Sequence, residues 1–130
     1  MILVVCIDKK GGLQFNHRRQ SRDSLLIEDL IREADGRIIR TSPYSAPLFP
    51  EGIAKDGAED AGVGELCFYE GDFPCPPKEK LEGVILYHWN RAYPADLWFD
   101  ESLLDGMKKT GKTDFPGSSH EKITKEVYRK

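Results

Sequence analysis

Met1 to Ile7 is an unbroken apolar run rich in β-branched side chains, the pattern of a strand buried on both faces. Lys9-Lys10-Gly11-Gly12 then supplies turn chemistry, and Leu13 and Phe15 alternate briefly with polar neighbours. After Asp23 the period changes. Leu26, Ile27, Leu30, Ile31 and Ala34 recur at three- and four-residue spacing, which predicts an amphipathic helix. Asp23 or Ser24 is its N-cap, Gly36 its stop, and Glu28, Asp29, Arg32 and Glu33 its polar face.

Arg37 to Thr41 reads as a short second strand. Ser42-Pro43 sets an N-cap before a proline at the first helical position, so a short helical turn is expected through Tyr44 and Ser45, limited by Pro47. Pro50 to Val63 holds glycines and acids with little apolar periodicity and predicts a surface loop with at most one helical turn. Glu65 to Tyr69 and Val84 to Trp89 are the third and fourth buried strands, separated by Gly71-Asp72 and one or two helical turns within Pro74 to Leu81. Tyr93-Pro94-Ala95-Asp96 turns the chain before the apolar patch Leu97-Trp98-Phe99. Met107 to Lys130 reads as two long antiparallel strands joined around Pro116-Gly117-Ser118-Ser119. Ile123 and Val127 fall on one side of the last strand, and Thr124, Glu126 and Tyr128 on the other. The order predicts an α/β fold with one long helix, central parallel strands and a C-terminal antiparallel hairpin, the first strand lying in the middle.

At 130 residues the chain is the length of a single domain with a real core. A net charge of −3 and a pI near 5.6 argue against a protein that coats nucleic acid. Charge is unevenly spread, with Glu51 to Glu82 acidic and Lys108 to Lys130 rich in lysine. The three cysteines (Cys6, Cys67, Cys75) are odd in number and form no Cys-x-x-Cys, which fits a reducing cytosol; Cys6 and Cys67 read as core neighbours on adjacent strands. The N-terminal apolar run is too short for a signal peptide, and no run approaches the ~20 residues of a membrane span. A cytoplasmic protein without a membrane partner is the expectation.

The densest recognition chemistry lies in Asn16-His17-Arg18-Arg19-Gln20-Ser21-Arg22-Asp23, between the first strand and the helix, where open α/β sheets place their ligands. Arg18, Arg19 and Arg22 are suited to gripping phosphate or carboxylate groups, with Asn16 and Gln20 as amide partners. The plainer reading is a solvated loop whose arginines pair with Glu28, Asp29 or the acidic middle of the chain. Glu70 and Asp72 suit a divalent cation or simply a turn. Trp89, Tyr93, Trp98 and Phe99 suit stacking on a flat ligand or ordinary packing.

Several segments, in order, resemble a shortened dihydrofolate reductase. Ile2 to Asp8 is similar to that family's first strand, and the loop ending in Asp23 to the segment leading to its substrate-binding carboxylate. Gly64 to Gly71 resembles the strand before its glycine pair, and Leu86-Tyr87-His88-Trp89 with Tyr93-Pro94-Ala95-Asp96 and Phe99 the strand after that. Glu126-Val127-Tyr128-Arg129 resembles the terminal strand. The resemblance implies a dihydrofolate reductase-like mixed sheet, a buried Asp23 acting as proton donor with a raised pKa, and NADPH as cofactor.

The departures point away from that chemistry. Glu70-Gly71-Asp72 stands where the family's glycine pair meets the pyrophosphate; two like charges at ~4 Å repel by about 4 kcal/mol at an effective dielectric of ~20. The cofactor turn is reduced to Arg40-Thr41-Ser42, and the strands for the adenosine end look deleted around Pro50 to Val63. Arg18, Arg19 and Gln20 replace a tryptophan and proline beside the nicotinamide, and Tyr87 replaces a substrate-side threonine. The expectation is a small-ligand-binding domain for an anionic or heteroaromatic molecule, touching Asn16, Arg18, Arg19, Gln20, Arg22, Asp23 and Tyr87, with no cofactor. An NADPH-dependent reductase is the disfavoured alternative.

A third reading is an RNA-binding or ribonuclease-related module. The opening G-G-L-Q-F-N-x-R-R-Q-S-R-D is similar to small bacterial proteins that sometimes carry the label ribonuclease Z. That enzyme needs a His-x-His-x-Asp-His zinc cluster, whereas His17, His88 and His120 stand isolated along this chain.

Overall fold

The computed structural model describes residues 1–130. Its elements are β1 (Ile2–Ile7), β2 (Gly12–Phe15), β3 (Arg18–Arg19), α1 (Ser24–Ala34), β4 (Ile39–Thr41), β5 (Ala54–Asp56), β6 (Leu66–Phe68), β7 (Gly83–His88), β8 (Leu97–Trp98), β9 (Lys108–Phe115) and β10 (Ile123–Arg129). Seven strands form one mixed sheet in the order β5-β4-β6-β1-β7-β10-β9, and β3-β2-β8 form a small antiparallel sheet. The large sheet is parallel from β5 to β7 and antiparallel at β10 and β9. β1 is fourth of seven, as its continuous apolar run predicts.

Burial on both faces explains that run. Leu3, Val5 and Ile7 pack with Cys67, Val84, Leu86, Phe99 and Leu103 on one face. Ile2 and Val4 pack with Leu26, Leu30, Phe68, Tyr87, Trp89 and Ile123 on the other, which α1 covers. Cys6 and Cys67 therefore lie on adjacent strands but belong to opposite faces.

Asp23 caps α1 by accepting from Leu25 N and Leu26 N, and the helix ends at Asp35 in the left-handed region, φ 48°. Asp29 does not join the solvated helix face. It is buried, accepts from the Tyr87 hydroxyl at 2.7 Å and pairs with Lys125 at 3.0 Å.

The segment Pro50 to Val63 is more ordered than its composition suggests. Ala54–Asp56 pairs in parallel with Ile39–Thr41, and Ala58–Asp60 adds a 3-10 turn. A three-residue edge strand is made by backbone pairing alone, so side-chain periodicity does not announce it. The turn through Tyr44 and Ser45 forms but runs on through Ala46–Leu48. Pro47 does not end it, because an early helical position has no use for its missing N–H. No helix is long and apolar enough to cross a membrane.

Candidate functional site

The basic segment is a β-hairpin. Asn16 and His17 both have positive φ (53° and 61°), as a two-residue connection of type I′ requires, and Phe15 pairs with Arg18 across it. Past β3 the chain runs through Ser21 and Arg22 into α1. There it borders a cleft of about 790 Å³ shared with Ile27 of α1, Pro47 and Leu48 of the 3-10 turn, and Ser118 and Ser119 of the β9–β10 connection.

Asp23 forms the floor, its side chain wholly buried. One carboxylate oxygen accepts from Ser118 N at 2.8 Å and Ser118 Oγ at 3.0 Å besides the two helix amides. The other accepts from Ser119 N at 2.9 Å and from His120 Nδ1 at 3.0 Å. Burial alone would raise the Asp23 pKa, but these donors outweigh it and hold the carboxyl well below its ordinary value. Asp23 is thus an anchored carboxylate, its pKa moved in the opposite direction from the rise that the resemblance implied. A β-carbon on Gly117 would collide with this carboxylate and lie 2.9 Å from Ile123, so the turn needs glycine there.

His120 was not legible as a site residue. It is 4% exposed, and its ring stacks on Trp89 with centroids 4.6 Å apart. Nδ1 faces Asp23, which fixes the proton on that nitrogen. Nε2 faces the Tyr93 hydroxyl at 2.9 Å and Ser21 Oγ at 3.2 Å. Trp89 and Tyr93 are therefore walls of this imidazole.

The arginines divide. Arg19 turns its guanidinium onto Glu70, with Nε to Oε2 at 2.9 Å and Nη2 to Oε1 at 3.0 Å, and lies 4.3 Å from the centre of the Tyr44 ring. Ser45 Oγ–H donates to the same carboxylate at 2.7 Å. Burial opposes the Arg19 charge, but Glu70 more than compensates and raises its pKa. Pairing with the acidic middle of the chain is thus the fate of this one arginine. The Glu70 carboxylate expected to repel a phosphate is paired with Arg19, while Asp72 accepts from Ser42 Oγ.

Arg22 is exposed on the cleft wall; Arg18 and Asn16 sit on the exposed hairpin and do not line it. Gln20 Nε2 donates to Asp8 and Pro94 O, both at 3.2 Å, helping to hold the Asp8 carboxyl below its usual pKa against its burial. Between Cys6, Leu13, Tyr69, Trp89 and the Arg19–Glu70 pair the free space is only about 10 Å³.

Tyr87 does not reach the cleft. It is fully buried, and burial with the adjacent Asp29 pushes its pKa far up. Tyr87→Phe should cost about 1.5–3 kcal/mol in urea unfolding, the worth of a hydrogen bond to a charged group, and leave cleft binding unchanged. Loss of binding without loss of stability would return Tyr87 to the site. No group of three or more His, Cys, Asp or Glu side chains comes together that could hold a metal ion; His88 instead pairs with Glu126 at 2.6 Å.

No family model matches the chain, and no curated protein matches it in sequence. Among solved structures it is similar to a dihydrofolate reductase from Enterococcus faecalis complexed with NADP(H) and RAB-propyl. The TM-score is 0.60 and the identity 10%, over 98% of this chain and 94% of that one. The fold is dihydrofolate reductase-like: a mixed α/β sheet with one helix and a second small antiparallel sheet.

Proposed function

We propose that residues 1–130 act as one dihydrofolate reductase-like domain that binds a small anionic or heteroaromatic molecule at the N-terminal end of α1 and uses no NADPH. The cleft is the observation that carries this reading. At about 790 Å³ it falls within the ~300–1,000 Å³ of small-molecule sites. Ile27 and Leu48 supply apolar surface for a ring, and Arg22 supplies a guanidinium without an ion-pair partner. The Arg19–Glu70 pair supports the absence of a dinucleotide. It fills the mouth of the sheet beside the position where the resemblance puts the pyrophosphate, leaving about 10 Å³ and an acidic turn at Glu70-Gly71-Asp72. These residues do not fit the cofactor.

Isothermal titration with a pterin carboxylate and a nucleoside monophosphate tests the reading. At least one should bind, and Arg22→Ala should weaken it about tenfold, the ~1.4 kcal/mol worth of a charge-assisted hydrogen bond. Arg18→Ala should leave the affinity within about twofold, as expected for a side chain outside the cleft. Failure of both probes, or equal losses in the two variants, would overturn it. The NADP(H) in the structural neighbour favours a second reading, an NADPH-dependent reductase. Saturable NADPH fluorescence quenching would establish that reading instead.

A further inference from the structure

We propose that Ser21 is a nucleophile activated by His120 and held in register by Asp23, and that the cleft hydrolyses small esters or thioesters. The inference deepens the reading above and rests on it for the position of the substrate. Ser21 and Asp23, close together on the segment entering α1, meet His120 from the far end of the chain. Asp23 Oδ2 lies 3.0 Å from His120 Nδ1, and His120 Nε2 lies 3.2 Å from Ser21 Oγ. That is the arrangement a serine nucleophile needs: a base within reach of its hydroxyl and a carboxylate orienting the base.

Two further observations separate this set from a mere clasp between α1 and the β9–β10 turn. Ser21 opens onto the 790 Å³ cleft, whereas the imidazole behind it is sealed by Trp89 and Tyr93. A reacting carbonyl therefore reaches the serine, and water reaches the base only from the cleft, past the serine. Arg22, the next residue, borders the same cleft and supplies positive charge for the oxyanion. Tyr93 shares the Nε2 lone pair at 2.9 Å in the resting site. Once Nε2 is protonated, the Tyr93 oxygen accepts from it and steadies the imidazolium.

The chemistry balances without a cofactor. Ser21 Oγ attacks the acyl carbon as its proton passes to His120 Nε2. The C–O or C–S bond to the leaving group then breaks, and Nε2 returns the proton to the departing alcohol or thiol. Water attacks the acyl-serine, gives a proton to Nε2, and the serine leaves with that proton as the carboxylic acid is released. Asp23 is a positioning residue throughout. Ile27 and Leu48 favour an acid with an apolar body, and Arg22 one with a second negative charge.

A fluorophosphonate probe on the full chain, read by intact mass and peptide mapping, provides the test. One adduct on Ser21 is expected. Ser21→Ala should abolish it, and His120→Gln should slow it at least tenfold while retaining the native circular dichroism spectrum. The wild-type protein should take up the probe at Ser21 alone, a result that needs no variant to fold. No adduct, or an adduct elsewhere, would overturn the proposal. The probe carries no second anionic group, so an unlabelled Ser21 in a protein that still binds the titrated anions removes this inference alone. Labelling without anion binding removes only the assignment of the ligand.

Discussion

Asp23→Ala should lower the unfolding free energy by about 3–5 kcal/mol, as much as truncating a large core side chain. Loss of an N-cap costs about 1 kcal/mol. The buried His120 Nδ1–H would also lose its acceptor, at ~1–3 kcal/mol, and the part-buried amides of Ser118 and Ser119 theirs, at ~0.5–1.5 kcal/mol each. Water entering the vacated space offsets part of that sum, hence the lower total. Against a typical stability of ~5–15 kcal/mol the loss is large, and a urea unfolding curve reads it directly. A matching pH signature follows. The folded pKa is depressed, so the stabilisation is complete above the unfolded value of ~3.9 and is lost as pH falls toward the folded one. Wild type should lose stability below about pH 4 more steeply than Asp23→Ala. A variant within ~1 kcal/mol of wild type would mean that the turn does not depend on this carboxylate.

The same residue shows how far sequence reaches. Asp23 was legible as a cap because the signal is local: an acid immediately before a segment of helical period. Its other partners lie 95 to 97 residues away, and no spacing rule connects them. Pro116-Gly117-Ser118-Ser119 read as hairpin-turn composition and His120 as an isolated histidine; only the fold turns Ser118, Ser119 and His120 toward α1. β1, β6, β7 and α1 were legible because each buries a continuous face and so carries a repeating apolar pattern. β5 was not, since an edge strand of Ala54, Lys55 and Asp56 buries almost nothing. The arginine loop was read as a candidate site, but its parts were read singly. Arg19 looked like a ligand for anions and Glu70 like a barrier to them, whereas folded they are each other's partner across 51 residues.

That partnership should appear as strong coupling in a double-mutant cycle. Arg19→Met leaves the Glu70 carboxylate, 10% exposed, with only the Ser45 hydroxyl. Removing one member of a buried pair costs ~3–5 kcal/mol, and the 22% exposure of Arg19 brings the expectation to about 2–3 kcal/mol. Glu70→Gln should cost less, because an uncompensated guanidinium at that exposure finds water and keeps its place over Tyr44. With both replaced no buried charge is left alone, so the double variant should be more stable than Arg19→Met and the coupling should reach at least about 1.5 kcal/mol. Urea unfolding of the four proteins measures it. Additive losses would show that Arg19 and Glu70 act independently, and the pair could no longer be held responsible for closing the mouth of the sheet.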